Sequence, residues 1–298
     1  MKKIISILLL LSIFVIQDTN VYANSTYYKN QLNDQSKKYY SDLKNNFITN
    51  KGDAPIKYLL NEYIVDSYLE DEIAVYLKNI KLAYSAAYLD HPEYYWMKAC
   101  VISYSGKDYY DDVVNVLYTR INDINVLVKS GGLNSSSNKK KYNKAFNRAV
   151  KKVNKIRGKN KSKYNTLKAI NKYVSTTIKY SNKKNKPFNT HTAYGAFVKK
   201  KAVCDGYSKA FKALCDYYKI PCLLEIGYVY KSTGHAWNIV KLKGKWYYVD
   251  STWNKSSKNR FFLAGSKLFN KTHIHNKKKM DVLSLGVFKT PKVSKSNY

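Results

Sequence analysis

The chain has 298 residues and a net charge of +33, from 53 Lys and Arg against 20 Asp and Glu, yet 45% of it is hydrophobic and 15% aromatic. That apolar content excludes a disordered polyelectrolyte, because a chain so rich in aromatic residues buries a core despite its charge. Four cysteines invite a disulfide reading, and beyond the N-terminus no segment approaches the ~18 uninterrupted apolar residues of a membrane span.

The charge is unevenly divided. Residues 24–128 hold 11 Lys and Arg and 14 Asp and Glu, a net of −3, whereas residues 129–298 hold 40 and 5, a net of +35. Such asymmetry points to a basic half that meets polyanions; a solvated lysine-rich surface is the alternative. The five acids of this half are Asp205, Asp216, Glu225, Asp250 and Asp281.

In chain order, Lys2 and Lys3 precede an apolar run over 4–16, and Val21-Tyr22-Ala23 supplies a small-residue exit. This is the pattern of a secretory signal peptide over 1–23 with cleavage after Ala23, an uncleaved anchor being the alternative. The mature chain is expected to be exported, with no membrane span, so its polyanions would be wall or surface polymers and not nucleic acid. It is expected to be monomeric or weakly associating.

Residues 24–130 read as a helical N-terminal region. Ile56, Leu59, Leu60, Tyr63 and Ile64, then Ile73, Leu77, Ile80, Tyr84, Ala87 and Tyr88 recur at helical spacing. His91-Pro92 ends that run. A second helical pattern covers 111–128, with a Val-rich start compatible with strand. Gly131-Gly132 and Ser135-Ser136-Ser137 mark 131–141 as a linker.

A domain over 142–280 follows. Tyr142, Ala145, Phe146, Ala149, Val153 and Ile156 define one amphipathic helix, and Tyr164, Leu167, Ile170, Val174 and Ile178 a second. A loop at 187–192 leads to a third helix beginning at Cys204, with Tyr207, Ala210, Phe211, Leu214 and Tyr218 on its inward face. Three strands are predicted over 223–230, 235–242 and 245–253. Residues 281–298 read as a basic tail. Cys204 and Cys215 lie about 16 Å apart along one helix at ~1.5 Å per residue, beyond the reach of a disulfide. Pairings among Cys100, Cys215 and Cys222 stay open on spacing; buried free thiols are expected.

The chemistry concentrates in 204–253. Ala202-Val203-Cys204-Asp205-Gly206-Tyr207 opens a helix, Gly234-His235-Ala236-Trp237-Asn238 opens one strand, and Tyr247-Tyr248-Val249-Asp250-Ser251-Thr252-Trp253 ends the next. A thiol is nucleophilic as thiolate, and a helix N-terminus favours that form through its unsatisfied N–H groups and dipole. Gly206 lets the backbone approach closely, and the Cys204 amide is a candidate oxyanion donor. A two-residue turn at Lys243-Gly244 pairs Leu242 with Lys245. Extended outward, that register puts His235 opposite Thr252 and Asp250 opposite Trp237, so His235 and Asp250 are diagonal neighbours on one face. Trp237, Ile239, Trp246 and Tyr248 share it; core packing is the competing reading of the aromatic ones. Zinc held by Cys204, His235 and Asp250 with His273 and His275 is a weaker alternative, since the tight paired spacing of structural zinc is missing. His191 reads as a loop residue and not as a second base.

These three segments resemble the transglutaminase-like superfamily, whose core is related to papain-like cysteine proteases. More weakly, Asp90-His91-Pro92-Glu93-Tyr94-Tyr95-Trp96, the helix over 164–180 and Phe261-Phe262-Leu263 with His273 are similar to exported bacterial members. The resemblance implies an α+β transglutaminase/papain-like core, a Cys-bearing helix packed on an antiparallel sheet carrying His and Asp, preceded by the helical region. It implies Cys204 as nucleophile, His235 as base and Asp250 as the residue orienting the imidazole, with no cofactor and no metal. Trp237, Tyr207 and Trp253 are candidate substrate-binding or oxyanion residues. The expected activity is acyl transfer from a glutamine amide or peptide carbonyl through a Cys thioester, with a lysine amine as possible acceptor, on surface or envelope protein. A cysteine peptidase or amidase of peptide or wall material, and an inactive wall-binding module, are the alternatives.

Overall fold

The computed structural model describes residues 26–49, 55–66, 70–111, 116–129, 131–182, 185–230, 233–254, 256–275 and 288–298. The expected signal peptide and Asp281 lie outside these residues. Among the described residues no helix is long and apolar enough to cross a membrane.

The N-terminal region is not all helix. Helices α1 (Asp34–Thr49) and α2 (Glu70–Asp90) accompany strands β1 (Pro55–Asp66), β2 (Ala99–Asp111) and β3 (Val116–Lys129) in an antiparallel sheet ordered β1-β3-β2. The register shifts between Leu59 and Tyr63 in β1 and between Ser105 and Gly106 in β2. These shifts explain the misleading helical spacing. A bulge changes the phase of a period-two pattern, and two out-of-phase half-strands imitate a period near 3.6. The helical assignment holds for α2 and is corrected to strand at 55–66 and at 116–129.

The Asp90 motif joins this layer to the rest of the molecule. The buried Asp90 carboxylate accepts the amides of Tyr28 (3.2 Å) and Lys29 (3.0 Å). His91 bonds Tyr40 Oη at 2.7 Å and Glu93 Oε1 at 2.7 Å. Tyr28 Oη donates to Leu224 O at 2.6 Å, tying the layer to the second, five-stranded sheet. The motif is thus a buried polar joint.

Helix α3 (Ser136–Arg157) starts where Ser135 Oγ accepts the Asn138 amide, so the second half of the expected 131–141 linker belongs to α3. Helix α4 (Lys163–Thr177) is capped by Ser162 in the same way. A short parallel pair, β4 (Lys179–Tyr180) and β5 (Lys201–Ala202), brackets a turn at Phe188–His191 and a wide turn at Gly195–Lys199. Helix α5 (Cys204–Tyr217) follows, buried continuously from Gly206 to Asp216. Within it the wholly buried Lys212 is neutralised by Asp216 at 3.0 Å and donates to Cys222 O.

A five-stranded antiparallel sheet closes over α5 in the order β10-β6-β7-β8-β9. Its members are β6 (Cys222–Val229), β7 (Thr233–Leu242), β8 (Lys245–Val249), β9 (Phe262–Ala264) and β10 (His273–His275), with one-turn helices α6 (Ser251–Asn254) and α7 (Ser266–Phe269). The Lys243-Gly244 turn has positive φ at both residues, 47° and 79°, and sets the expected Leu242↔Lys245 register as far as Asn238↔Val249. Asn238 Nδ2 donates to Ser208 O of α5, so the even-numbered face of β7 lies on that helix. Trp237 and Tyr248 share the opposite face and meet at Phe269.

The C-terminal segment is not a free tail. Val293 is buried, Ser294 N donates to Trp246 O, and Ser266 N donates to Ser294 O. The apolar Val293 and the backbone of β8 at Trp246, beyond the reach of β9, hold the strap down against its lysine-rich composition.

Gly206 occupies the tightest point around α5. A Cβ there would stand 2.5 Å from Thr190 O and 2.8 Å from Ala202 Cβ. Gly206→Ala should lower stability by about 1–3 kcal/mol, the usual cost of overpacking, seen as a reduced urea midpoint. An unchanged midpoint would mean that the Phe188–His191 turn can retreat.

Candidate active site

Cys204 is the first residue of α5, after Val203 in extended conformation. Tyr207 N donates back to Val203 O and Gly206 N to Asp205 Oδ1. The amides of Cys204 and Asp205 lie in the first turn, where an α-helix supplies no acceptor. Cys204 is partly accessible, whereas Cys215 and Cys222 are buried; all three are free thiols. Cys215 and Cys222 hydrogen-bond each other, and burial pushes the Cys215 thiol well above its ordinary pKa. The Cys100 side chain lies outside what is described.

His235 stands near the start of β7, opposite Gly227 of β6. Its Nε2 lies 2.9 Å from Asp250 Oδ2, which leaves Nδ1 to face the thiol, and Cys204 is near enough to act electrostatically on the ring. The three predicted side chains therefore converge. Burial opposes protonation of His235, but the hydrogen bond to Asp250 and the negative charge of Asp250 and Cys204 outweigh it, pushing its pKa up to about 9.

Asp250 reaches His235 by a different local route from the one expected. β8 ends at Val249, so the hairpin ladder does not extend to a His235–Thr252 pair. Asp250 instead caps α6, its Oδ1 accepting the amides of Thr252 (2.9 Å) and Trp253 (3.3 Å), while Oδ2 turns to the histidine. Burial works against this wholly enclosed charge, yet hydrogen bonds from His235 and His273 hold its pKa down to about 2.

His273, placed by sequence reasoning as a weak zinc candidate and within a segment similar to exported bacterial members, is a second histidine on Asp250. Its Nε2 lies 3.3 Å from Asp250 Oδ2, and its Nδ1 is 2.9 Å from Thr272 Oγ1. An ionised carboxylate only accepts, so Nε2 carries the N–H that points at Asp250. Burial depresses the His273 pKa and the Asp250 contact only partly restores it, and the ring is stacked 3.7 Å from Phe269.

Nitrogens of His235 and His273 and an oxygen of Asp250 lie within 4.8 Å of one another. One oxygen, Oδ2, is the acceptor for both imidazoles, which suits N–H donors. His275 belongs to another network, bonded to Glu225 Oε1 at 2.6 Å and Tyr248 Oη at 3.0 Å. The five-residue zinc set is not brought together.

The other candidates divide. Trp237 is completely buried, donates to Glu225 Oε2 at 2.8 Å and packs on Phe269, so it is core. Tyr207 is buried with its hydroxyl on Ile178 O at 2.6 Å, also structural. Trp253 is half-buried, lies 5.3 Å from the His235 ring and stacks on Tyr230, which is 70% exposed. On another flank Tyr180 is 41% exposed, its pKa pushed up to about 12 by burial and by the negative charge of Cys204, Asp205 and Asp250. Exposed aromatics flanking Cys204 and His235 were not anticipated, because Tyr230 and Tyr180 sit at strand ends where period carries no information. His191 is a loop residue, as expected, paired with Asp205 at 2.9 Å.

A partly accessible thiol at a helix start, a histidine on an antiparallel sheet and a buried carboxylate just past a strand end form the arrangement of a cysteine-based domain of the papain and transglutaminase kind. Residues 150–251, which contain Cys204, His235 and Asp250, match the family described as the transglutaminase-like superfamily. Kyphoscoliosis peptidase of Mus musculus is 32% identical over 33% of this chain and 19% of its own length. The Homo sapiens protein of that name is 33% identical over 28% of this chain and 16% of its own. The chain thus spans less than a fifth of these curated relatives. Among solved structures, one described as a TGase superposes over 66% of this chain and 50% of its own, at 14% identity and a TM-score of 0.34.

Two outcomes are expected. Iodoacetamide should modify Cys204 in the folded protein well before Cys215 or Cys222, as mapped by peptide mass spectrometry; equal rates would contradict an activated thiol. His273→Phe, which keeps the stack on Phe269 but removes a donor worth about 0.5–1.5 kcal/mol, should make Asp250 a stronger partner for the His235 imidazolium. The His235-dependent inflection in Cys204 alkylation should then rise by up to about one pH unit. No movement would reduce His273 to packing.

Proposed function

We propose that the chain is an exported thiol-dependent acyltransferase that opens a glutamine side-chain amide, or a peptide carbonyl, through a thioester on Cys204. The observation that carries this reading is the placement of His235 between the buried Asp250 carboxylate, 2.9 Å from its Nε2, and Cys204, whose negative charge helps to raise the imidazole pKa. The Cys204 sulfur forms a bond to the carbonyl carbon, and negative charge developing on the carbonyl oxygen is met by the Cys204 amide. The C–N bond then breaks, and the protonated His235 gives its proton to the departing ammonia or amine. In the second half His235 takes a proton from the acceptor as it attacks the thioester, and the thiol is released. Asp250 stays anionic and keeps the imidazole oriented throughout.

The acceptor decides the enzyme class. A lysine amine gives an isopeptide crosslink, and water gives deamidation or proteolysis. The Trp253–Tyr230 stack and Tyr180 support the first by shielding the thioester from water. The hydrolytic reading, a cysteine peptidase or amidase of peptide or wall material, is favoured by the names of the curated relatives, which are peptidases. An inactive binding module is opposed by the complete triad.

Purified mature protein offered a glutamine-containing peptide and a labelled primary amine should incorporate the amine, and Cys204→Ala should abolish it. Release of ammonia or of new amino termini without incorporation would establish hydrolysis, and no difference from Cys204→Ala would overturn the enzyme reading altogether.

Acylation requires the imidazolium, so the acylation rate should fall as pH rises through about 9 and not through the ordinary 6.5. The same shift stabilises the fold: a folded-state pKa above the unfolded value contributes fully below pH 6.5 and is lost by pH above about 9. A pH profile of amine incorporation with an alkaline limb near 6.5 would contradict this arrangement.

A further inference from the structure

Residues 131–204 carry 21 Lys and Arg and no Asp or Glu. In the fold this stretch forms α3, α4, the parallel pair and the turns between them. On α3 the stripe Tyr142, Phe146, Ala149, Val150 and Val153 is buried. Lys140, Lys144, Arg148, Lys151, Lys152 and Lys155 are exposed on the remainder of the helix. None of them forms an ion pair among the described residues.

A second feature lies at one edge of this surface. Phe197 of the Gly195–Lys199 turn packs edge-on against Phe146 at 5.3 Å and Tyr142 at 5.9 Å. This contact sets the run Lys199-Lys200-Lys201 beside α3. Lys200, left-handed at φ 53°, points its ammonium at Tyr173 Oη of α4, 2.8 Å away. Burial first, and then the positive charges of Arg148 and Lys152, lower its pKa. Cations from separate parts of the chain therefore crowd together with no carboxylate between them. Like charges held so close are unfavourable in the free protein and become favourable once an anion lies among them.

We propose that this α3 surface, centred on Arg148, Lys152 and Lys200, is a docking site for an extended phosphodiester polymer without bases, of the poly(glycerol phosphate) kind. The 22 residues of α3 extend about 33 Å and present cations every three or four residues, which matches a linear polyanion and not a single phosphate. The aromatic residues of α3 itself face inward, so along the helix there is no platform on which successive nucleic-acid bases would stack; Tyr217, 36% exposed beside Phe146, lies at its margin. Lys200 lies four positions before Cys204 in the chain, so the docked polymer would run close to the nucleophile. The proposal does not depend on the acyl-transfer reading, because binding is measured without turnover.

The test is retention of the mature protein on poly(glycerol phosphate) immobilised on beads, titrated with NaCl. Affinity should fall steeply with salt, since each displaced phosphate contact contributes about 0.7 to the logarithmic slope for a single-stranded polyanion. Arg148→Gln, Lys152→Gln and Lys200→Gln combined should weaken binding at least tenfold and flatten the slope. The fully exposed set Lys140→Gln, Lys144→Gln and Lys151→Gln should do the same with an unaltered urea midpoint. Lys267→Gln, Lys292→Gln and Lys295→Gln, which remove equal charge elsewhere, should change affinity less than threefold. Equal losses in all three variants would overturn the proposal in favour of diffuse attraction. So would equal retention of duplex DNA through the same residues, or failure to bind at 0.15 M NaCl.

Discussion

The structure turns on one buried carboxylate. Asp250 is fully enclosed, and an isolated charge in such a place would cost several kcal/mol after relaxation. It is instead surrounded by N–H donors: imidazoles of His235 and His273 on one oxygen, amides of Thr252 and Trp253 on the other. Those donors come from β7, β10 and α6, so satisfying a single side chain fixes the meeting point of three elements. Its own amide donates to Phe261 O, which draws in the loop leading to β9. The arrangement that keeps the charge tolerable is therefore the arrangement that orients His235 toward Cys204.

Legibility in the sequence followed the range of the interactions involved. The β7–β8 hairpin could be registered from its turn because Lys243-Gly244 acts locally. Cys204 could be set at a helix start because the apolar stripe from Tyr207 onward begins there. His273 could not be recognised as a donor to Asp250, since it arrives on β10 by pairing with β6, 44 positions earlier at Val229. The N-terminal strands were obscured by bulges, and the burial of Val293 depends on a contact with Trp246 that no local pattern encodes. Trp237 and Trp253 illustrate the limit most clearly. Both are aromatic residues near the histidine, but only the side chain on the strand's packed face is consumed by Glu225 and Phe269. The other, one turn into α6, remains near the surface.

The N-terminal layer contributes to the site indirectly. Tyr88 of α2 lies beneath Lys209 of α5, whose ammonium is 3.7 Å from the ring centroid and donates to His191 O at 3.1 Å. Burial lowers the Lys209 pKa to about 8, with Asp205 acting in the opposite sense. His191 in turn is bonded to Asp205, the neighbour of the nucleophile. The start of α5 is thereby held from two sides, by the sheet through His235 and by the N-terminal helices through Lys209. A domain cut at 150–251 would keep the triad and lose one of these supports.

The charge asymmetry has an internal cause that composition alone does not reveal. Of the five acids in the basic half, four have assigned partners: Asp205 with the partly exposed His191, Asp216 with Lys212, Glu225 with His275 and Trp237, and Asp250 with His235 and His273. Lys212, Trp237, His235 and His273 are buried groups that require an anion or a strong acceptor beside them. These pairings therefore consume the described acids of this half, and none is left to interrupt the lysines of α3 and α4. A surface whose cations were merely solvated would lose nothing by mixing in carboxylates, which relieve self-repulsion and add weak pairs at helical spacing. That no acid occurs in 74 consecutive positions, 131–204, while acids recur beside buried groups, is the pattern that the proposed anionic partner would require.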